Sequence, residues 1–153
     1  MRFYLLVISS VLMFDSYFQA RKALLMRDIV MFDRIVRAKN GAEAKALGRK
    51  VALNTVEWDK ISGDIMAETL WFKFRRNKTL RDKLVDTGYR VIVEGRVDYV
   101  WGSGLSKAET MKTPILEWKG PNKLGEEMMK LRICFQSLQE NGEVIGGVQL
   151  NTV

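Results

Sequence analysis

The chain has 153 residues, of which 47% are hydrophobic and 28% charged, the make-up of an ordinary globular protein with one core. Twenty-five Lys and Arg against 18 Asp and Glu leave a net charge of +7, which attracts polyanions and phosphorylated metabolites. There is no histidine, so Ser-His-Asp hydrolysis, His-ligated zinc and His general bases are all excluded, and acid–base work falls to carboxylates, Lys, Tyr or water. No metal or other cofactor is called for. The single Cys134 forbids an intramolecular disulfide and suits a reducing compartment; in a helical pattern it is expected to be a small buried hydrophobe.

Arg2 and the apolar run Phe3 to Phe14 imitate a secretory signal peptide. The run is too short to span a bilayer. A buried strand from Phe3 to Ile8 leading into a helix, in a cytoplasmic protein with no membrane partner, is the expectation. Residues 15–38 read as helical with a break near Asp28, and a second helix follows Gly41 from Ala42 to about Val51. Ile61, Ile65 and Thr69, with Met66, Leu70 and Phe74, repeat at helical spacing and predict a helix from Trp58 to Arg76. The compact basic run Arg75-Arg76-Asn77-Lys78 at its end reads as a solvated helix face. Thr79 is placed to cap a short helix through Val85, with Gly88 as its stop.

Between Arg90 and Arg96 the β-branched run Val91-Ile92-Val93 predicts a short buried strand. A long loop follows from Asp98 to Pro121, containing both prolines; loops of this length inside a compact domain are often functional. The last helix carries Leu124, Met128, Leu131, Phe135 and Leu138 as one apolar stripe, with Glu126, Glu127, Lys130 and Arg132 largely off it. Gly142 and Gly146-Gly147 end it, and Val148 to Val153 reads as a strand or a loose tail. The outline is a mostly helical α+β fold with a small sheet, in a single domain over residues 1–153.

Two segments concentrate chemistry. Glu94-Gly-Arg-Val-Asp98-Tyr-Val-Trp101-Gly102-Ser-Gly104 delivers two acids, an aromatic ring and two glycines from the end of a strand into a loop. Trp118-Lys-Gly120-Pro-Asn122-Lys-Leu-Gly125 leads into the final helix, whose N-terminus suits a phosphate; Asn122 is either the helix N-cap or a ligand contact.

At these residues the sequence resembles the NADAR (YbiA-like) family. The resemblance runs in order through Tyr17-Phe18-Gln19-Ala20-x-Lys22, Leu47-Gly48-Arg49, Trp58, Met66, Lys73-Phe74, Asn77, Leu80 and Thr87. It closes with Glu94-x3-Asp98-x2-Trp101-Gly102-x-Gly104 and Gly120-x-Asn122-x-Leu124-Gly125-x2-Met128-Met129-x2-Arg132, and so covers residues 15–132. The joint presence of the last two motifs is what makes it specific. Two departures stand out. Asp15-Ser16 occupies the place of the family's usual Glu-His, and only 14 residues precede Asp15, so the family's longer N-terminal segment is expected to be missing or replaced.

The resemblance implies an N-glycosidase that hydrolyses the bond between a phosphorylated ribose and a base. Its substrate class is either ADP-ribosylated guanine in DNA or RNA, or a phosphoribosylamino-pyrimidine intermediate of riboflavin synthesis. The alternative is a non-catalytic module that binds ADP-ribose. Cleavage builds positive charge at C1′, so carboxylates aimed there stabilise the transition state. On this reading Asp15 and Asp98 are the working acids and Glu94 a supporting one. Lys22 is either a phosphate contact or a nucleophile that forms a Schiff base with the sugar. Trp58 and Trp101 either stack on the base or belong to the core. Arg49, Lys73 and Asn122, with the backbone at Gly102, are assigned to the substrate and its phosphate oxygens.

Overall fold

The computed structural model describes residues 3–5 and 12–142, and it is mostly helical with one small parallel sheet. The chain divides into two compact units, residues 8–73 and residues 1–7 with 74–153. The predicted tail, Val148 to Val153, and the residues just before it lie outside the described residues. So does most of the apolar N-terminal run.

In the first unit, helices α1 (Leu12–Leu25), α2 (Ile29–Val36) and α3 (Gly41–Gly48) pack on one another. The break near Asp28 is where the sequence places it. Arg27 takes a left-handed conformation at φ 56°, and the Asp28 carboxylate accepts the Met31 N–H at 2.9 Å, starting α2. Asn40 starts α3 in the same way, accepting the Glu43 N–H at 2.8 Å. That helix ends at Gly48, earlier than the predicted Val51, which instead is buried in the turn beyond it. Small residues at the crossing, Ala20, Ala23 and Ala44, let the three backbones approach, and Ile35 and Val51 fill the centre. The long helix α4 (Thr55–Arg76) follows, and the division between the units falls inside it, after Lys73. Trp58, Ser62, Ile65 and Thr69 are buried along one of its stripes, at the spacing a 3.6-residue period demands. At its end Arg75 and Arg76 are exposed, as a solvated helix face requires.

The second unit holds α5 (Lys78–Val85), the two strands, a long loop and the final helix. The cap of α5 is Asn77, which accepts the Leu80 N–H at 3.0 Å, and not Thr79. An Asx side chain in extended backbone one residue before the helix wins over a Thr already inside its first turn. Strand β2 is the predicted run, Val91–Val93, and pairs in parallel with β1 (Phe3–Leu5), Tyr4 opposite Ile92. The loop after it is not structureless. It contains a four-residue helix α6 (Lys107–Thr110), closed by a capping box between Ser106 and Glu109, and a 3-10 turn at Ile115–Glu117.

Helix α7 (Lys123–Glu140) buries Met128, Leu131 and Phe135, with Leu124 and Leu138 half-buried along the same stripe. Two expectations for this helix fail. Cys134 is exposed, one step round the helix from the buried face. Arg132 is buried, because its guanidinium donates to the Thr87 hydroxyl at 2.8 Å and the Arg90 carbonyl at 2.7 Å. Among the described residues no helix is long and apolar enough to cross a membrane.

Candidate functional site

Within residues 8–73 the fold gathers charge around Asp15. Packing of α1 on α3 brings the Lys45 ammonium to 3.2 Å from Asp15 Oδ1. The other carboxylate oxygen lies against Gly41, where a Cβ would come within 2.6 Å of Oδ2. Lys73, near the end of α4, is only 6% exposed. Burial holds its ammonium below the ordinary lysine range; Asp15 works against that shift and Lys45 with it. These three groups therefore sense one another from three different helices.

Lys22 lies two turns along α1 from Asp15 and is half-buried. Its ammonium is also held low, first by burial and then by the positive charge of Arg49, which is exposed just past α3. Gln19 sits between these levels of α1, with its side-chain amide pressed against Gly48, where no Cβ fits, and its Oε1 without a hydrogen-bond partner among the described residues. Trp58 is 8% exposed, and Phe18 meets its ring edge to face at a centroid distance of 5.2 Å. Of the residues predicted here, the fold thus brings Asp15 to Lys73 and Lys22 to Arg49, and buries Trp58 against the aromatic of the Tyr17-Phe18-Gln19-Ala20 motif. An apolar cavity on the same α1, bounded by Tyr17, Ala20, Leu24, Phe32 and Val36, contains none of the predicted site residues.

The second unit positions the other motif residues by backbone hydrogen bonds. Asp98 Oδ1 accepts the N–H groups of Val100 at 2.9 Å and Trp101 at 2.7 Å, which folds the loop back and sets Trp101 half-buried beside it. Ser103 N–H donates to the Glu94 carbonyl at 2.9 Å, so the turn is anchored on the residue that leaves β2. The two glycine motifs then stack. Gly120 N–H donates to Ser103 O at 2.8 Å and Asn122 N–H to Gly102 O at 2.9 Å. A Cβ on Gly120 would lie 2.5 Å from Gly102 O and 2.7 Å from Asp98 O, so only glycine permits this approach. Gly104, at φ 70°, adopts the left-handed backbone that turns the loop into its next segment.

Asn122 occupies the N-cap position of α7 in left-handed conformation, φ 54°, but its side chain does not cap the helix. It reaches β2, donating to Ile92 O at 2.9 Å and accepting the Glu94 N–H at 3.0 Å, and is 4% exposed. Its side chain is thus a buried latch that fixes where Glu94 leaves the strand. Lys45 had no place in the sequence reading, since nothing local marks it; only the α1–α3 crossing does.

A family model described as the NADAR domain matches residues 10–136. An N-glycosidase of Acanthamoeba polyphaga mimivirus is 38% identical over 120 residues, covering 77% of this chain and 71% of its own. Protein irg-1 of Caenorhabditis elegans is 32% identical over 130 residues, covering 82% and 61%. An N-glycosidase of Nostoc punctiforme is 32% identical over 126 residues, covering 81% and 74%. The matched span carries every motif residue whose geometry is given above, from Asp15 to Arg132, and the chain belongs to the NADAR family.

Proposed function

We propose that the chain is an N-glycosidase that hydrolyses the C–N bond between a phosphorylated ribose and a base, with Asp15 as its principal carboxylate. The enzyme class is supported by the family and by the two relatives named as N-glycosidases. The observation that carries the assignment of Asp15 is its setting: an acid at the family's acid position, held by Lys45, with the buried Lys73 beside it.

In the proposed reaction the bond from C1′ to the base nitrogen lengthens, its electron pair leaves with the base, and positive charge spreads over C1′ and the ring oxygen. A fixed carboxylate stabilises that charge more than the neutral ground state, which is what lowers the barrier. Water then adds to C1′ and gives up a proton, while the base gains one. The cations Lys22, Arg49 and Lys73 suit the phosphates of the substrate, Arg as a fork and Lys as point charges. The family match also runs through Glu94, Asp98 and Trp101 of the other unit.

For substrate we favour ADP-ribosylated guanine in nucleic acid, since a net charge of +7 draws a polyanion more strongly than a small metabolite. Incubation with an ADP-ribosylated guanosine oligonucleotide and, separately, with a phosphoribosylamino-pyrimidine, followed by mass spectrometry, tests this directly. Release of unmodified guanine oligonucleotide from the first supports the favoured substrate. Release of base only from the second moves the assignment to the metabolite. Binding of ADP-ribose without release from either refutes the enzymatic reading and leaves a binding module.

A further inference from the structure

We infer that Gly41 and Lys45, one turn apart on α3, are positioning residues that seat the Asp15 carboxylate. The inference rests on the assignment of Asp15 above. Asp15 stands in the first part of α1 and has only one methylene between backbone and carboxylate. Such a short side chain cannot search for its place; the neighbouring helix must come to it. Helix α3 does so at both oxygens. Lys45 engages Oδ1 at 3.2 Å, and the missing side chain of Gly41 leaves the space that Oδ2 fills.

Gly41 is also the first residue of α3, so Oδ2 lies where the positive end of the helix dipole acts. Both oxygens are therefore oriented by the same rigid element, whose own start is fixed by the Asn40 cap. A partly exposed ion pair such as this adds little to stability. Its consequence is geometric: a displaced catalytic group loses rate steeply, up to about 10²-fold for an error near 1 Å.

The test compares Lys45→Met, Lys45→Arg and Gly41→Ala in the full chain, each also combined with Asp15→Asn, on the oligonucleotide substrate. Lys45→Met and Gly41→Ala are expected to lower kcat by about 10–10²-fold with KM nearly unchanged, and Lys45→Arg to recover most of the loss. In the Asp15→Asn background neither substitution should cost more, because each acts only through the carboxylate. A rise in KM at constant kcat, or a further loss in that background, makes Lys45 a substrate contact and overturns the inference. Crystal structures of Lys45→Met and Gly41→Ala supply a readout that needs no activity. A carboxylate moved from its place against α3 supports the seat, and one left in place overturns it. Absence of turnover in the unaltered protein defeats the proposed function alone, and the structures still decide the seat.

Discussion

Replacing Asn122 by alanine should be among the most damaging single changes in the second unit. Its side chain donates to Ile92 O and accepts the Glu94 N–H, and it is almost wholly shielded from water. Alanine leaves both backbone groups without their partner, at about 1–3 kcal/mol for each buried group that finds none. The residue also sits at φ 54°, where alanine is less at ease than asparagine by roughly 1 kcal/mol. Together these give about 3–7 kcal/mol, a large part of the roughly 5–15 kcal/mol that holds a small domain folded. With a urea m-value of about 1–3 kcal/mol/M, the midpoint should fall by at least about 1 M. Asn122→Gly separates the two causes, since glycine accepts the left-handed backbone without strain. It should still lose about 2–6 kcal/mol from the orphaned groups. If the glycine variant matches the parent protein, backbone strain is the whole effect and the latch is wrong. If alanine itself shifts the midpoint by less than the equivalent of about 0.5 kcal/mol, the two hydrogen bonds carry no weight at all.

Asp15→Asn should lower kcat by about 10²–10³-fold while substrate binding, read by calorimetry, barely changes; Asp15→Glu, which restores the family's usual length, should keep measurable turnover. Asp98→Asn retains an oxygen able to accept from Val100 and Trp101, so its thermal midpoint should stay within about 2–4 °C of the parent's while turnover falls; a collapse of stability would show that the charge itself holds the turn. Lys22 is held low by burial and by Arg49, so competitive acylation followed by peptide mass spectrometry should give it a midpoint below the ordinary lysine value of about 10.4, and an ordinary midpoint would contradict that environment. Lys73 is also depressed on folding, so the unfolded chain binds its proton more tightly and stability rises with pH between the folded and unfolded values. Lys73→Met should therefore be more stable than the parent at neutral pH, and urea titrations should show that advantage shrinking as pH rises towards about 10.4.

How much of this was written in the sequence depends on whether the deciding contact is local. Helical periodicity places α4 and α7 because the buried stripe belongs to each helix alone. Where a boundary depends on which of two polar residues bonds a backbone N–H, the pattern fails, as it does for Asn77 over Thr79. Burial at the flank of a stripe is equally undetermined. Cys134 falls outside the packed face, and Arg132 is drawn in by the Thr87 hydroxyl and the Arg90 carbonyl, partners more than 40 residues earlier in the chain. Motif residues were visible as types, not as roles. Asn122 looks like a cap or a phosphate ligand until β2 supplies its two partners, and Lys45 has no signature because its meaning arises only where α3 crosses α1.

The two aspartates at the centre of the proposal illustrate why a shared residue type does not mean a shared task. Asp98 is restrained by backbone: two N–H groups converge on one oxygen, and the carboxylate's first consequence is the shape of a glycine-rich loop. Asp15 is set among side-chain cations, Lys45 in contact and Lys73 close enough to be influenced by its charge. A group that holds a loop must stay where it is as the reaction proceeds. One surrounded by cations on separate helices keeps its charge available to a nearby electrophile. Without histidine, proton traffic must fall to such carboxylates, to water and to lysines, and burial lowers both Lys22 and Lys73 in the direction that brings an amine nearer to neutral pH. On the proposed function the principal charge falls to Asp15 and phosphate binding to Lys22 and Lys73, while the backbone contacts of Asp98 and Asn122 shape the second unit.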